Sequence, residues 1–352
     1  MIFATLPVRE AIGALSVHAV KGPGVAVKKG AAIGEAEAEA LAQAGISEIV
    51  VVRLEPGDVG EDAAAARLAQ AAAGAGVRCE APFTGRVNLF ATTPGVLVAD
   101  AAAVGRINAV DEAITIATLP AHAPVVEGEM VATVKIIPYA VPQEALARAL
   151  AAAGAQGAGN GPLSVAPYIR RRIGVVSTLL PALKPTVVDK TLRVLERRLA
   201  PTGARIVAET RTPHAVPDLA GALAAMNAQE AELIVVFGAS AIADRRDVIP
   251  AAIETAGGRV EHFGMPVDPG NLLLVGEIAG RPVIGAPGCA RSPRENGFDW
   301  VLHRLLAGLA VRRADIVAMG VGGLLMEIVS RPQPRGGEPS AGPDAADEEG
   351  ER

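Results

Sequence analysis

The most constraining feature of the chain is the run Leu233-Ile234-Val235-Val236-Phe237, which holds no polar residue and leads directly into Gly238-Ala239-Ser240. A short, wholly apolar, β-branched run predicts a strand buried on both faces, as in a parallel sheet covered by helices. The surrounding sequence repeats the theme. Apolar runs predict further strands at 173–177, 204–208, 272–278 and 282–285, and helical spacing predicts helices at 187–199, 218–229, 247–256 and 298–309. Strands alternating with helices of this length argue for an α/β fold, a doubly wound and mostly parallel sheet within residues 168–330. Ligands of such sheets bind outside the carboxyl ends of the strands, where the strand order reverses.

The N-terminal half has another character. Residues 1–76 read as a small α/β domain, with strands near 14–20, 25–28 and 49–54 and helices at 35–44 and 62–74. Residues 77–150 are punctuated by glycine and proline and read as mostly-β, with strands near 86–90, 96–99, 113–117 and 130–137. Residues 151–167, AAAGAQGAGNGPLSVAP, predict a linker, and residues 331–352 predict a disordered tail too poor in apolar groups to offset its ordering entropy.

Composition narrows the function. With 38 acidic against 33 basic residues the chain carries a net charge of −5, which argues against nucleic acid as a partner but not against a small anion in a local basic pocket. Cys79 and Cys289 lie far apart and form no ligand spacing, so neither a disulfide framework nor a zinc site is expected, and a reducing compartment fits. No signal-peptide pattern opens the chain, and no apolar run reaches the roughly 18 residues of a membrane span. A cytoplasmic protein with no membrane association is expected.

Two constellations carry chemistry. In the first, the buried run passes through Gly238-Ala239-Ser240 to Asp244-Arg245-Arg246-Asp247 and a helix. Backbone N–H groups and a hydroxyl at such a turn can grip a phosphate; equally, Ser240 or Asp247 can serve as an ordinary helix N-cap. In the second, Pro269-Gly270-Asn271 precedes a hairpin that leads into Gly285-Ala286-Pro287-Gly288-Cys289-Ala290-Arg291-Ser292.

Taken in order, these segments resemble the molybdopterin-binding domain shared by molybdopterin adenylyltransferases and molybdopterin molybdenumtransferases. The resemblance covers about residues 170–309 and extends upstream to Lys184-Pro185-Thr186-Val187-Val188-Asp189-Lys190-Thr191. It implies a molybdopterin-binding fold, with molybdopterin or its adenylylated form as ligand and Mg²⁺ as cofactor. By it, Gly238, Ala239, Ser240, Pro269, Gly270, Pro287, Gly288 and Arg291 form the pterin-binding set, and Asp189 and Asp247 are the catalytic, metal-holding pair. It also implies a homo-oligomer that hands the pterin to a nucleotidyltransferase or molybdoenzyme partner. Two activities follow: nucleotidyl transfer or molybdenum insertion, or alternatively non-catalytic binding and delivery. The chain departs from the family pattern at Ala239 in place of a second glycine, at Cys289 in place of an asparagine, and at Asn271 in place of a lysine. Near the family's third acidic position it offers His214 or Asp218.

Overall fold

The computed structural model describes residues 1–154, 160–181 and 183–325. The expected tail, 331–352, lies outside the described residues. The chain divides into two compact units, one formed by Met1–Arg171, Leu199–Ala204 and His303–Leu309, the other by Arg172–Arg198, Arg205–Leu302 and the segment from Ala310.

The C-terminal unit is mixed α/β. Its elements are β1 (Arg172–Leu179), α1 (Pro185–Leu199), β2 (Arg205–Pro213), α2 (Val216–Ala228), β3 (Leu233–Phe237), α3 (Val248–Thr255), β4 (Arg259–Phe263), β5 (Leu274–Ile278), β6 (Arg281–Ala286) and α4 (Gly297–Leu306). The strands form one six-stranded sheet in the order β2-β1-β3-β6-β5-β4. The pairings β1 with β2, β1 with β3, and β3 with β6 are parallel, and the β6–β5 and β5–β4 pairings are antiparallel. From β1 the chain goes to β2 on one side and later places β3 on the other, so the strand order reverses between β1 and β3.

Every residue of β3 is buried, as its composition requires. One core cluster joins Val176 of β1, Leu223 and Met226 of α2, Val236 of β3, Ile249 and Ile253 of α3, and Val283 of β6. Each such side chain contributes roughly 1.5–3 kcal/mol on leaving water. Two features differ from the sequence expectation. β4 was not expected, because Arg-Val-Glu-His-Phe lacks an apolar run; it is an edge strand whose Arg259 pairs with Glu261 at 2.7 Å and Glu277 at 3.4 Å. Charge on an edge strand discourages pairing with other chains. β2 continues past the expected 204–208 to Pro213, through the polar residues Glu209 and Arg211 of the opposite edge.

The N-terminal unit is built from several small antiparallel sheets. Ile2–Pro7, Glu48–Arg53 and Leu15–Ser16 form one, sharing a core around Val8, Ile33, Leu41 and Val51. Ile114–Thr118, Met130–Ile136, Arg86–Ala91 and Val77–Cys79 form another. The helix Glu61–Ala72, which falls before the boundary expected at residue 76, shares its core with this later sheet through Leu68, Leu89, Ile136 and Leu146. Residues 151–167 are more than the linker their glycines suggest. The helix Gln143–Ala153 ends at left-handed Gly154, and Leu163–Pro167 is a strand paired with Gly95–Ala99, burying Leu163 and Val165 on one face. The central 155–159 lie outside the described residues.

Candidate functional site

Parallel pairing sets four strand ends side by side. Leu179 of β1 is level with Pro213 of β2, Ser177 with Phe237 of β3, and Phe237 with Ala286 of β6. The segments that follow, bearing His214, residues 238–240 and residues 287–296, therefore leave the sheet at one edge. The turn with Pro269 and Gly270 belongs to the same edge, because Leu274 of antiparallel β5 pairs with Gly285 of β6.

At the reversal between β1 and β3 a polar chain forms. The Ala239 N–H donates to Thr178 Oγ1 at 2.8 Å, Thr178 Oγ1 lies 2.8 Å from His214 Nδ1, and His214 Nε2 lies 3.0 Å from Ser240 Oγ. The backbone N–H of His214 is itself fixed, donating to the Leu179 carbonyl at 2.9 Å. Thr178 is buried and Ser240 exposed, so the chain runs from the interior to the surface. From the other side Arg291 donates from Nη2 to the Gly238 carbonyl at 2.6 Å, tying the loop after β6 to the turn after β3. Burial holds the Arg291 guanidinium below its ordinary range, a cost that a nearby anion would offset. The Ser177 hydroxyl is buried with no hydrogen-bond partner among the described residues. With Thr178, Leu183, Val188, Thr191, Phe237 and Arg291 it lines a narrow gap that leaves no room for a water molecule.

The loop after β6 is held from beneath. Arg198 of α1 meets Asp299 of α4 at 2.6 Å, and both side chains are almost wholly buried. The same guanidinium donates to the carbonyls of Ala290 at 2.8 Å and Ser292 at 2.6 Å. Asn296, also buried, donates from its backbone to Asp299 Oδ2 at 2.9 Å and from Nδ2 to the Arg294 carbonyl at 3.0 Å. Cys289 is part of this packing: its thiol is half-buried, faces Asn296 Oδ1 at 3.7 Å, and is pushed up by burial.

The expected site residues thus fall into two groups. Gly238, Ala239, Ser240, Pro287, Gly288 and Arg291 share one edge, with Arg291 bridging the two loops. A Cβ on Gly238 would lie 2.7 Å from the Ser240 carbonyl, so the tight turn itself requires glycine; Gly288 is exposed, with nothing within 4 Å of a would-be Cβ. Pro269 and Gly270 lie at this edge too, but Gly270 is packed inward. It has φ +145°, and a Cβ there would stand 2.9 Å from the backbone of Gly297.

The acidic residues are engaged elsewhere. Asp189 pairs with Arg211 at 2.6 Å. Asp247 is the N-cap of α3, accepting from Val248 N–H at 2.9 Å and Ala243 N–H at 3.0 Å. That helix begins where it was expected, eight residues beyond Ser240, and its first amide is taken by the Asp247 carboxylate, which serves as the N-cap. Among the described residues no group of three or more His, Cys, Asp or Glu side chains is arranged to hold a metal. Magnesium accepts one or two carboxylates when substrate phosphates complete its shell, but both expected carboxylates already have partners. This donor set does not fit a magnesium site built by the protein.

Thr178 and the Arg198–Asp299 pair were not expected from the sequence. The one available signal for the latter was Asn296-Gly-Phe-Asp299, the spacing of a capping box at a helix start.

The fold and edge define an α/β unit with a polar mouth at the switch point of a mostly parallel sheet. Comparison with known proteins adds the following. No protein-family model and no curated protein matches the chain. Among solved structures it is similar to the molybdopterin biosynthesis moea protein from Pyrococcus horikosii, with 14% identity and a TM-score of 0.31, over 87% of this chain and 75% of that one. It is also similar to molybdenum cofactor biosynthesis protein B, with 14% identity and a TM-score of 0.30, over 40% of this chain and 96% of that one. Among the described residues no helix is long and apolar enough to cross a membrane.

Proposed function

We propose that the C-terminal unit binds molybdopterin, or its adenylylated form, by its phosphate-bearing end, in the biosynthesis of the molybdenum cofactor. The observation that carries this reading is the 2.6 Å bond from Arg291 to the Gly238 carbonyl, which joins the two motif-bearing loops at the switch point of the sheet. Two features of the mouth suit an anion: a half-buried guanidinium, and the exposed Ser240 hydroxyl beside the imidazole of His214. The gap beneath Ser177 and Arg291 leaves no room even for water, so in this reading the phosphate sits on the exposed rim at Ser240 and Gly288 rather than in a pocket.

The engagement of Asp189 and Asp247 by partners of their own favours binding and delivery over a transfer step run by those two carboxylates. In this reading a nucleotidyltransferase or molybdoenzyme takes the pterin onward, and the chain acts as a homo-oligomer.

The test is mass spectrometry of small molecules that co-purify with the full chain and with Ser240→Asp. A carboxylate at position 240 repels a phosphate held there. Pterin bound to the parent protein and lost from the variant is the expected outcome. Equal pterin in both would remove Ser240 and its turn from the site.

A further inference from the structure

The four-membered contact running from Ala239 N–H through Thr178 and His214 to Ser240 sets an exposed hydroxyl against an imidazole that is held at its far nitrogen. Thr178 Oγ1 receives the Ala239 N–H at 2.8 Å and lies 2.8 Å from His214 Nδ1. A hydroxyl oxygen has two acceptor lone pairs, so in one tautomer of His214 Thr178 accepts from Nδ1–H as well. In that tautomer Nε2 carries no proton and stands 3.0 Å from Ser240 Oγ, ready to accept one. The base is held at its far nitrogen by a buried group that is itself held by backbone, the arrangement that a histidine-activated hydroxyl needs. Ser240 is exposed and flanked by the small residues Ala239 and Ala241, so an electrophile can reach its oxygen.

We propose that Ser240 is a nucleophile, with His214 as its general base, acting on a phosphoric ester or anhydride whose anionic oxygens are balanced by Arg291. In the first step Ser240 Oγ bonds to phosphorus and gives its proton to His214 Nε2. The bond from phosphorus to the departing oxygen breaks, and that oxygen takes the proton from Nε2. In the second step water attacks the phosphoserine, again giving a proton to Nε2, and the Ser240 oxygen leaves and recovers it. The net reaction is hydrolysis consuming one water, with no change in oxidation state. Ser240 and His214 touch the reacting atoms; Thr178 is a positioning residue. The choice of a phosphorus electrophile rests on the anionic-ligand reading of the same mouth, whereas the nucleophile itself does not.

The experiment exposes the full chain to an alkyl fluorophosphonate, a phosphorus electrophile that captures activated serines with loss of fluoride, and follows intact mass and peptide maps. One adduct per chain on Ser240 is expected, absent in Ser240→Ala, a surface change that leaves the fold intact. Labelling should fall by about 100-fold or more in His214→Gln, the usual scale of general-base assistance. It should fall by roughly 10-fold in Thr178→Val and be restored by Thr178→Ser, which returns the hydroxyl. No adduct on the folded protein, or equal rates in the parent and His214→Gln, would overturn the proposal. Measuring co-purified pterin on the same samples separates the two readings: pterin without labelling leaves binding intact and removes the nucleophile, and labelling without pterin does the reverse.

Discussion

The two loops that meet at the carboxyl edge of the sheet are held in opposite ways. The loop after β6 rests on a buried ion pair: Arg198 and Asp299 are 8% and 12% exposed, and the guanidinium spreads over the carbonyls of Ala290 and Ser292. The turn after β3 rests on a hydrogen-bonded relay without a carboxylate that ends at an exposed hydroxyl. A buried charge that loses its partner is very costly, whereas an exposed hydroxyl contributes little to stability. One loop is therefore a fixed platform and the other a reactive surface, so the largest losses of stability should come from the platform and the smallest from Ser240 itself.

The largest effect should come from Asp299→Ala, which strands Arg198 in the interior. Unfolding in urea should show a loss of about 3–5 kcal/mol, together with weaker anion binding as the Arg291 loop loosens. A loss under 1 kcal/mol would mean that the platform does not depend on the pair. Next is Gly270→Ala, which places a Cβ 2.9 Å from the Gly297 backbone at a φ of +145°. Backbone strain of this kind costs about 1–3 kcal/mol, and the thermal midpoint should drop without any change in the labelling of Ser240. Thr178→Val should cost roughly 1–3 kcal/mol, because it leaves the Ala239 N–H without its acceptor. Ser240→Ala should stay within about 0.5 kcal/mol of the parent protein; a larger loss would place Ser240 in the platform rather than on the reactive surface.

The smallest effect concerns His262 of β4. Burial first, then the positive charges of Arg313 and Arg245, hold His262 below its ordinary value of 6.5. The folded protein thus keeps His262 neutral where the unfolded chain takes up a proton. Stability should fall as pH drops through and below 6.5, since the unfolded state then binds more protons. His262→Gln should flatten that fall without altering the relay, and an unchanged slope would assign the fall to other groups.

How much of this was legible in the sequence follows the same division. The buried β3 run could be read, because burial on both faces leaves an unbroken apolar signature, and the hairpin of β5 and β6 from the turns around it; that the two small-residue loops meet was implied only by the resemblance. His214 was visible as a histidine with no partner at ligand spacing, near the position where the resemblance puts a third acidic residue. Its place at the mouth depends on the extension of β2 to Pro213, and that part of the strand, with Glu209 and Arg211, carries the polar pattern of a sheet edge rather than an apolar run. Thr178 lies just past the strand expected at 173–177 and drew no reading of its own. The Arg198–Asp299 pair joins residues 101 apart, beyond the reach of any local pattern. Asp189 and Asp247 were assigned to metal on resemblance, yet the observed partners, Arg211 and the first turn of α3, are the ordinary fates of surface carboxylates.

Hydrogen exchange of the full chain with and without added molybdopterin tests the central claim most directly. Slowed exchange is expected at the amides of residues 238–241 and 287–292 together, since the ligand is held where the two loops are tied by Arg291. Protection confined to the N-terminal unit, or its absence from both loops at saturating ligand, would contradict the placement of the site.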